Sequence, residues 1–342
     1  MLNLNNSDSI AVIGAGSWGT ALANLLALKG YQVKLWVYEP ELGEILTGKR
    51  ENTYYLPGIT LDGRIDPCLD IVEVAQGQNI LVSALPSQVV RPVIARLIRY
   101  LSPKPLIITA SKGIEKGSLL TCSQVIREVL PTQIKPGIVA LSGPSFAMEV
   151  AHGLPTVVVA ASADSEAAAL VQKIFSAPHF RVYTNPDIIG VELGGALKNV
   201  IAIAAGVSDG LRLGDNARAA LITRGLAEIS RLGTAMGASP LTFLGLAGLG
   251  DLVLTCAGPL SRNRTVGLRL SQGLKLNQIL SEMRMVAEGV ETVQAAIALG
   301  MKHQVELPIC EAVYSLLYQD KDPRQGVIEL MTRSLKEEFP FK

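Results

Sequence analysis

The segment IAVIGAGSWG, residues 10–19, decides the fold, because it joins a buried strand to a helix through a glycine-rich turn. Residues 10–13 are all apolar, as a strand covered on both faces requires. Residues 18–29 follow with a helical pattern that Gly30 closes, and a second apolar run starts at Gln32. Strand, turn, helix and strand together predict a βαβ unit within a parallel sheet.

The turn itself has the pattern GxGxxG, with glycines at positions 14, 16 and 19. In a βαβ unit, Gly14 permits the tight turn, Gly16 lets the backbone approach a pyrophosphate, and Gly19 lets helix and strand pack closely. Free N–H groups at Ser17 and Trp18 would face the negative pyrophosphate. In this setting the pattern predicts a nicotinamide dinucleotide that oxidises or reduces a small substrate. The alternative is a tight turn without a ligand.

The end of the second strand bears on the choice between NAD and NADP. Glu39 lies twenty residues after Gly19, where a carboxylate bonds the ribose 2′-hydroxyl and disfavours a 2′-phosphate. Lys49 and Arg50 would help to bind a phosphate if their loop folds back. We therefore favour NAD and keep NADP open. Tyr38 either stacks on the adenine or is an ordinary half-buried tyrosine.

The chain changes character near Pro186, from alternating strands and helices to helices alone. Near-continuous apolar runs predict six strands of a doubly wound sheet, at residues 10–13, 32–37, 80–84, 106–110, 138–141 and 156–160. Helical spacing then predicts six helices, at residues 187–206, 216–232, 262–272, 289–299, 308–318 and 324–335. We predict a dinucleotide-binding domain over residues 1–186 and a helical substrate-binding domain over residues 187–342, with the site in the cleft between them.

Composition and charge exclude several classes of partner. Thirty-one Lys and Arg residues oppose 30 Asp and Glu residues, so no net field attracts nucleic acid or an anionic membrane surface. The four cysteines form no CxxC pair, so we expect neither a disulfide framework nor a metal site. Residues 1–6 lack the basic start of a signal peptide, and no uncharged apolar stretch reaches about 18 residues. We expect a cytoplasmic protein without nucleic-acid or membrane partners.

Two charged residues stand in apolar surroundings in the second domain. Lys198 interrupts residues 191–205, a helix that is apolar on every side, and burial of its amine would lower the pKa toward the range of a general acid or base. Asp251 lies among glycines and leucines in residues 245–252 and needs a partner, for which Lys198 is the candidate. The alternatives are a lysine that reaches the surface and an aspartate that caps a helix.

Three further segments carry groups that could bind a substrate. Lys112 follows the strand at residues 106–110, at the edge where open α/β sheets place ligands. The segment SGPSFA, residues 142–147, follows the next strand, and its small residues would let backbone approach a ligand. The segment SRNR, residues 261–264, opens a helix with a capping hydroxyl, an arginine and free N–H groups, which suit a phosphate. A loop lysine, a plain turn and a surface arginine are the respective alternatives.

Four segments occur in order along the chain: GAGSWG at residues 14–19, SGPSFA at 142–147, GGALKN at 194–199 and GLGDL at 248–252. Together they resemble the NAD(P)-dependent glycerol-3-phosphate dehydrogenase family over residues 10–335. The resemblance implies an α/β protein, with an N-terminal Rossmann-type doubly wound sheet and an all-α C-terminal domain like that of 6-phosphogluconate dehydrogenase. It implies reversible reduction of dihydroxyacetone phosphate to sn-glycerol 3-phosphate, supplying glycerophospholipid synthesis, by a cytoplasmic enzyme that is commonly a homodimer.

The resemblance also implies roles for individual residues. Lys198 matches the family's proton donor and acceptor, with Asp251 and Lys112 beside it. The implied substrate contacts are Lys112, Gly143, Ser145, Lys198, Asp251, Ser261, Arg262 and Asn263. The implied cofactor contacts are Gly14, Gly16, Ser17, Trp18, Gly19, Tyr38, Lys112, Ala147, Arg262, Val286 and Glu288. Many bacterial relatives place a basic residue or histidine at or beside Tyr38, and the Tyr38-Glu39 pair here puts a preference for NADP in doubt.

Two rival functions share parts of this pattern. A dehydrogenase of β-hydroxyacids would have the same two domains and a helix lysine, but its carboxylate substrate would need no phosphate pocket at residues 261–263. A non-catalytic redox sensor would bind the dinucleotide and report its redox state to a partner. The sensor would place no requirement on Lys198.

Overall fold

Residues 9–335, 337 and 338 are described by the computed structural model, so the expectation for residues 1–6 lies outside the described part. Apolar runs form the central strands, and several helices begin at a capping side chain or at a proline. The strands are β1 Ser9–Ile13, β2 Gln32–Trp36, β3 Glu51–Asn52, β4 Leu56–Thr60, β5 Ile65–Cys68, β6 Ile80–Ser83, β7 Leu106–Thr109, β8 Gly137–Ser142, β9 Thr156–Ala161 and β10 Phe180–Asn185. The helices among them are α1 Ser17–Leu28, α2 Pro40–Lys49, α3 Ile71–Ala75, α4 Val90–Leu97, α5 Cys122–Val129, α6 Ala147–Ala151 and α7 Ser165–Phe175.

Eight strands form one sheet, in the order β10-β9-β8-β7-β6-β1-β2-β5. Neighbouring strands run parallel except β8 and β9, which are antiparallel. The chain order reverses between β1 and β6, the point at whose carboxyl edge sheets of this kind bind ligands. Strands β3 and β4 pair separately as a short antiparallel hairpin.

Helices cover both faces of the sheet, and β1 shows why its sequence is apolar throughout. Ile10 and Val12 point into the layer that holds α1 and α7, whereas Ala11 and Ile13 point into the layer that holds α3, α4 and α5. Successive side chains of a strand face opposite sides, so a central strand must be apolar at every position. This burial fixes β1, and with it the start of the glycine-rich turn.

The second half of the chain is helical and is built around one long helix. Its elements are α8 Ile188–Gly210, α9 Asp215–Ala235, α10 Pro240–Phe243, α11 Asp251–Ala257, α12 Arg262–Ser271, α13 Leu276–Ser281, α14 Glu288–His303, α15 Pro308–Tyr318 and α16 Pro323–Met331. A π-helical turn over Leu246–Gly250 leads directly into α11. Helix α8 packs against α9, α11, α12 and α14, so it is apolar on nearly every side.

Two segments among the described residues are long and apolar enough to cross a membrane by length and composition, Ile188–Gly210 and Pro240–Ala257. The first is α8, and 83% of its most apolar window is buried within the protein. Its apolar character is therefore that of a core helix. The second combines α10, the π-helical turn and α11, and 44% of its window is buried.

The structure confirms the predicted fold class, a doubly wound parallel sheet followed by a helical domain. Each of the six predicted strands and six predicted helices overlaps an observed element, although the last helix ends at Met331 rather than at residue 335. The prediction missed β3, β4, β5, β10, α10, α11 and α13. Strand β10 lies at the sheet edge and alternates buried with exposed side chains, so it lacks the continuous apolar run that marks a central strand.

Candidate active site

The turn after β1 approaches β6 closely, and its three glycines serve three different needs. Gly14 has a φ of +112°, and a Cβ there would lie 2.9 Å from the carbonyl oxygen of Ala84. A Cβ on Gly19 would lie 1.9 Å from the carbonyl oxygen of Gly14, because α1 packs directly on the turn. A Cβ on Gly16 would meet no described atom within 4 Å. Gly16 therefore leaves open space where the motif requires backbone to approach a pyrophosphate.

The N-terminus of α1 is open toward the same space. Within the described residues, no side chain caps it and its first turn contains no acidic residue. Its first N–H groups and the positive end of its dipole are therefore available to an anion. The indole Nε1 of Trp18 is buried and has no hydrogen-bond partner in the described part of the chain. The turn and the helix start fit a dinucleotide.

The carboxylate expected at the ribose already has a partner. The Tyr55 hydroxyl, from the β3–β4 hairpin, donates to Glu39 Oε1 at 2.6 Å. Burial, helped by this bond, raises the pKa of Tyr55 to about 12, so its proton stays in the bond at neutral pH. Tyr38, beside it, is 76% exposed. The half-buried interpretation of Tyr38 is wrong, because most of its side chain is exposed.

Of the two cations considered for a 2′-phosphate, Arg50 is already engaged. Its guanidinium donates to the backbone oxygens of Asp62 and Ile65, at 2.8 Å in the second case. Lys49 is exposed at the last turn of α2. Glu39 therefore fits its predicted role at the ribose better than Lys49 and Arg50 fit a role at a 2′-phosphate. The reason is that the Arg50 guanidinium is directed toward β5.

Three charged side chains from distant parts of the sequence meet at one point. Lys198 Nζ lies 2.5 Å from Asp251 Oδ1, and Lys112 Nζ lies 2.8 Å from Asp251 Oδ2. Lys198 Nζ also donates to the Thr255 hydroxyl at 2.8 Å. Asp251 is 1% exposed and Lys198 6%, whereas Lys112 is more open. One buried carboxylate thus holds two ammonium groups, and a cluster of this kind can both donate a proton and stabilise negative charge.

Small residues of α8 bring this cluster together. A Cβ on Gly194 would lie 2.6 Å from the carbonyl oxygen of Ala247 in the π-helical turn, and one on Gly195 would lie 2.7 Å from Ser142 Oγ at the end of β8. Helix α8 therefore contacts the π-helical turn on one side and the sheet on the other. Because the turn leads straight into Asp251, this close approach sets the carboxylate beside Lys198.

Burial gives Lys198 an unusual proton affinity. Desolvation lowers the pKa of its amine to about 8, while the nearby Asp251 carboxylate opposes the shift and the Lys112 ammonium adds to it. At neutral pH the amine is protonated, yet it loses its proton within a pH unit or so of that range. This is the behaviour expected of an acid in one direction of a reaction and a base in the other.

The segment after β8 supports Lys112 from the sheet side. Lys112 Nζ donates to the Gly143 carbonyl oxygen at 3.0 Å, and the Ser145 hydroxyl donates to the same oxygen at 2.9 Å. Gly143 has a φ of +136°, and a Cβ there would lie 2.9 Å from the Cα of Val158. Ala147 begins α6 immediately beyond. The predicted residues 143 and 145 therefore lie at the cluster.

The two arginines of the predicted phosphate segment, residues 261–264, have different partners. Ser261 caps α12 by accepting from the Arg264 N–H at 3.3 Å, and Arg262 is exposed, with Nη1 donating to the Val286 carbonyl oxygen at 3.0 Å. Arg264 turns the other way and pairs with Asp209 at 2.7 Å. Arg262 thus keeps donors for an incoming anion, whereas Arg264 is held in an ion pair.

Glu288, which is predicted to contact the cofactor, connects the helical domain to the cofactor domain through Ser87. Its carboxylate accepts from the Ser87 N–H at 2.9 Å and from the Ser87 hydroxyl at 2.6 Å. Burial raises the pKa of Glu288, and the bonds from Ser87 oppose that shift. Val286, two residues earlier, is 47% exposed beside Arg262.

Sequence reasoning missed three residues of this region. Asn199 accepts from Asn263 Nδ2 at 2.9 Å and donates to the Lys112 carbonyl oxygen at 3.4 Å, so it links α12 to the lysine loop. Thr255 bonds Lys198, as described. Thr255 follows Asp251 by four positions on one helix, a spacing that could have revealed it. Ser87 gave no signal, because its partner Glu288 lies 201 positions away.

A doubly wound sheet with a dinucleotide turn, joined to a helical domain that carries a buried lysine and aspartate, defines a two-domain nicotinamide-dependent dehydrogenase. Residues 9–168 match the family model described as NAD-dependent glycerol-3-phosphate dehydrogenase N-terminus, and residues 187–328 match the model for the C-terminus. The chain belongs to the NAD-dependent glycerol-3-phosphate dehydrogenase family. It is therefore an oxidoreductase that uses NAD(P), as the motifs predicted.

Relatives of known name agree over nearly the full length. The chain is 59% identical to a glycerol-3-phosphate dehydrogenase [NAD(P)+] of Geobacter metallireducens over 331 residues, 97% of this chain and 99% of the relative. It is 58% identical to the Geobacter sulfurreducens protein of the same name, with the same shares covered. The crystal structure of glycerol-3-phosphate dehydrogenase from Coxiella burnetii matches with a TM-score of 0.92 and 41% identity, covering 96% of this chain and 100% of that one.

Proposed function

We propose that the protein reduces dihydroxyacetone phosphate to sn-glycerol 3-phosphate, reversibly, with Lys198 as the group that carries the proton. The observation that supports this most strongly is the buried cluster of Lys198, Asp251 and Lys112 at the carboxyl edge of the sheet. Two ammonium groups around one carboxylate leave a net positive charge where a ketone oxygen would become negative. The family relatives carry the name of this activity.

The cluster divides the chemistry among its three members. A nicotinamide, when bound, would supply the hydride for the carbonyl carbon. Lys198 donates its proton to the oxygen as charge develops there, and its pKa of about 8 makes that transfer favourable near neutral pH. Asp251 orients Lys198 through the 2.5 Å bond, and Lys112 stabilises the charge. In the oxidative direction the neutral amine of Lys198 takes the hydroxyl proton.

The phosphate of the substrate has a separate binding place in this proposal. Arg262 offers its remaining guanidinium donors, and Ser261, Asn263 and the N-terminus of α12 lie next to it. Asn263 is held on both sides, by the Gly289 N–H at 2.9 Å and by Asn199. Binding energy from this phosphate would position the ketone at Lys198 without taking part in the chemistry.

For the cofactor we propose a preference for NAD over NADP. Glu39 is fixed by Tyr55 at the end of β2, where its carboxylate would accept from a ribose 2′-hydroxyl and repel a 2′-phosphate. We also propose that the cofactor contacts the other residues predicted for it, which are Gly14, Gly16, Ser17, Trp18, Gly19, Tyr38, Lys112, Ala147, Arg262, Val286 and Glu288. Glu288 would have to share its bonds with Ser87 to take part.

We also propose the wider setting that the resemblance implies. The domains are residues 1–186 for the cofactor and 187–342 for the substrate, and strand β10 ends at Asn185 just before α8 begins at Ile188. The protein acts as a cytoplasmic homodimer, without nucleic-acid or membrane partners, and its product supplies glycerophospholipid synthesis. Size measurement in solution and depletion of the protein in cells test the dimer and the lipid supply.

The test of the reaction is a spectrophotometric assay with dihydroxyacetone phosphate and with NADH and NADPH in parallel. We expect rapid oxidation of NADH, slower oxidation of NADPH, and little reaction with unphosphorylated dihydroxyacetone. A β-keto acid belongs in the same experiment as the substrate of the rival dehydrogenase, and we expect it to be inert. Binding of NADH without turnover of any of these substrates would favour the redox sensor.

A further inference from the structure

The loop that carries Lys112 is closed on itself. It covers residues 111–121, from the end of β7 to the start of α5. Within it, the Glu115 N–H donates to the Leu120 carbonyl oxygen at 2.9 Å, and Ile114 forms an antiparallel bridge with Thr121. The bridge connects the far end of the loop, at Thr121, to Ile114, two residues after Lys112.

A buried carboxylate of the other domain holds that far end. Glu192, on α8, accepts from the Ser123 N–H at 2.8 Å, from the Ser123 hydroxyl at 2.5 Å and from the Thr121 hydroxyl at 2.7 Å. Glu192 is 6% exposed, and all three donors belong to the cofactor domain. Burial raises the pKa of Glu192, and these hydrogen bonds oppose that shift.

The same face of α8 also holds the near end of the loop. Asn199, seven positions after Glu192, donates to the Lys112 carbonyl oxygen at 3.4 Å. Residues seven apart lie on one face of a helix, two turns from each other. Lys198 is adjacent to Asn199, so one rigid helix presents the proton-carrying lysine and holds the loop of the second lysine at two points.

We propose that Glu192 is a positioning residue for the reaction, which sets the Lys112 ammonium at Asp251 and at the substrate oxygen by fixing the far end of the 111–121 loop. This inference rests on the proposed role of Lys112 in stabilising charge. Glu192 touches neither Asp251 nor either lysine amine in the bonds described, and it acts through the loop.

A double-mutant cycle between Glu192→Ala and Lys112→Ala tests this proposal in the full-length protein. If Glu192 acts through Lys112, Glu192→Ala lowers kcat/KM for dihydroxyacetone phosphate by about tenfold or more in the parent and by less than about twofold in the Lys112→Ala background. Glu192→Gln recovers most of the loss, because its amide oxygen still accepts from Ser123. NADH affinity, measured by fluorescence, stays unchanged in Glu192→Ala and Glu192→Gln.

Glu228 provides the matched control. It is a second buried carboxylate of the helical domain, and it accepts from the N–H groups of Ile309 and Cys310 at the start of α15, far along the chain from the loop. Glu228→Ala is expected to lower thermal stability, as Glu192→Ala does, while kcat/KM changes by less than about twofold. An equal loss of activity in Glu228→Ala would overturn the proposal, because softening of the helical domain would then suffice.

Two other results would contradict the proposed role of Glu192 or that of Lys112. Equal losses from Glu192→Ala with and without Lys112 would contradict an action through the loop. If Glu192→Ala does not fold, Ser123→Ala replaces it in the same cycle, since it removes the 2.5 Å bond to Glu192 and keeps the bonds from the Ser123 N–H and the Thr121 hydroxyl. Full activity of Lys112→Ala alone would instead refute the proposed function of Lys112, and the two failures are thereby distinguished.

Discussion

The glycine-rich turn and the lysine–aspartate cluster both lie at the carboxyl edge of the sheet, but they are built in opposite ways. The turn is six consecutive residues, and its function depends on backbone that comes close to other backbone. The cluster joins side chains 139 and 53 positions apart, and its function depends on charge in a buried place. We therefore expect steric crowding to disable the turn and loss of a charge to disable the cluster, and experiments can separate the two effects.

The largest effect is expected from Lys198→Ala. Removing the proton carrier should lower kcat for dihydroxyacetone phosphate by about 10²- to 10⁴-fold, the range typical of general acid–base catalysis. The Kd of NADH should stay unchanged, because the turn lies on another domain. Steady-state kinetics and fluorescence titration measure both quantities. Turnover near the parent's rate would remove Lys198 from the mechanism.

The next largest effect is expected from Gly19→Ala, with Gly16→Ala as its control. A Cβ on Gly19 overlaps the Gly14 carbonyl oxygen, so stability should fall by about 1–3 kcal/mol together with NADH affinity. A Cβ on Gly16 meets no described atom, so that variant should lose NADH affinity while its melting temperature stays within about 2 °C of the parent's. If Gly16→Ala binds NADH normally, the open space beside it is not the pyrophosphate site.

The turn and the cluster also differ in how much of each could be predicted from the sequence alone. The shape of the turn was predictable, because the left-handed φ of Gly14 and the contact of Gly19 with Gly14 are local and the flanking strand and helix are adjacent. The buried state of Lys198 was predictable from its apolar helix, and the need of Asp251 for a partner from its glycine-rich setting. Asn199 and Ser87 were not, since their partners are fixed by packing of α8 and α14 against the sheet domain.

A smaller effect is expected from Arg262→Ala, and Arg264→Ala is the matched control. Loss of a charged hydrogen-bonding partner corresponds to about 1.5–3 kcal/mol, so the KM for dihydroxyacetone phosphate should rise by about 10- to 150-fold with a lesser change in kcat. Arg264 is engaged with Asp209, so its removal should raise KM by less than about threefold. Equal increases in KM from Arg262→Ala and Arg264→Ala would contradict the proposal that Arg262 binds the phosphate and Arg264 does not.

The smallest effect is expected from Glu39→Gln, a change at the carboxylate proposed to bind the ribose 2′-hydroxyl. Glu39→Gln keeps an oxygen for the Tyr55 hydroxyl and removes the negative charge, so discrimination against NADPH should fall by about 3- to 10-fold. The ratio of kcat/KM for NADH to that for NADPH measures this change. Lys49→Ala serves as the control, and we expect it to leave the ratio unchanged. A ratio insensitive to Glu39 would place the selection elsewhere.

The pH dependence of kcat/KM in both directions tests the central claim most directly, namely that Lys198 carries the proton. Reduction needs the protonated amine, so its kcat/KM should fall as the pH rises through about 8, and oxidation needs the neutral amine, so its kcat/KM should rise through the same point. Lys198→Ala should lose this transition in its residual activity. The account would be contradicted if kcat/KM changed in the same direction with pH for reduction and for oxidation. A transition near pH 8 that persists in Lys198→Ala would contradict it as well.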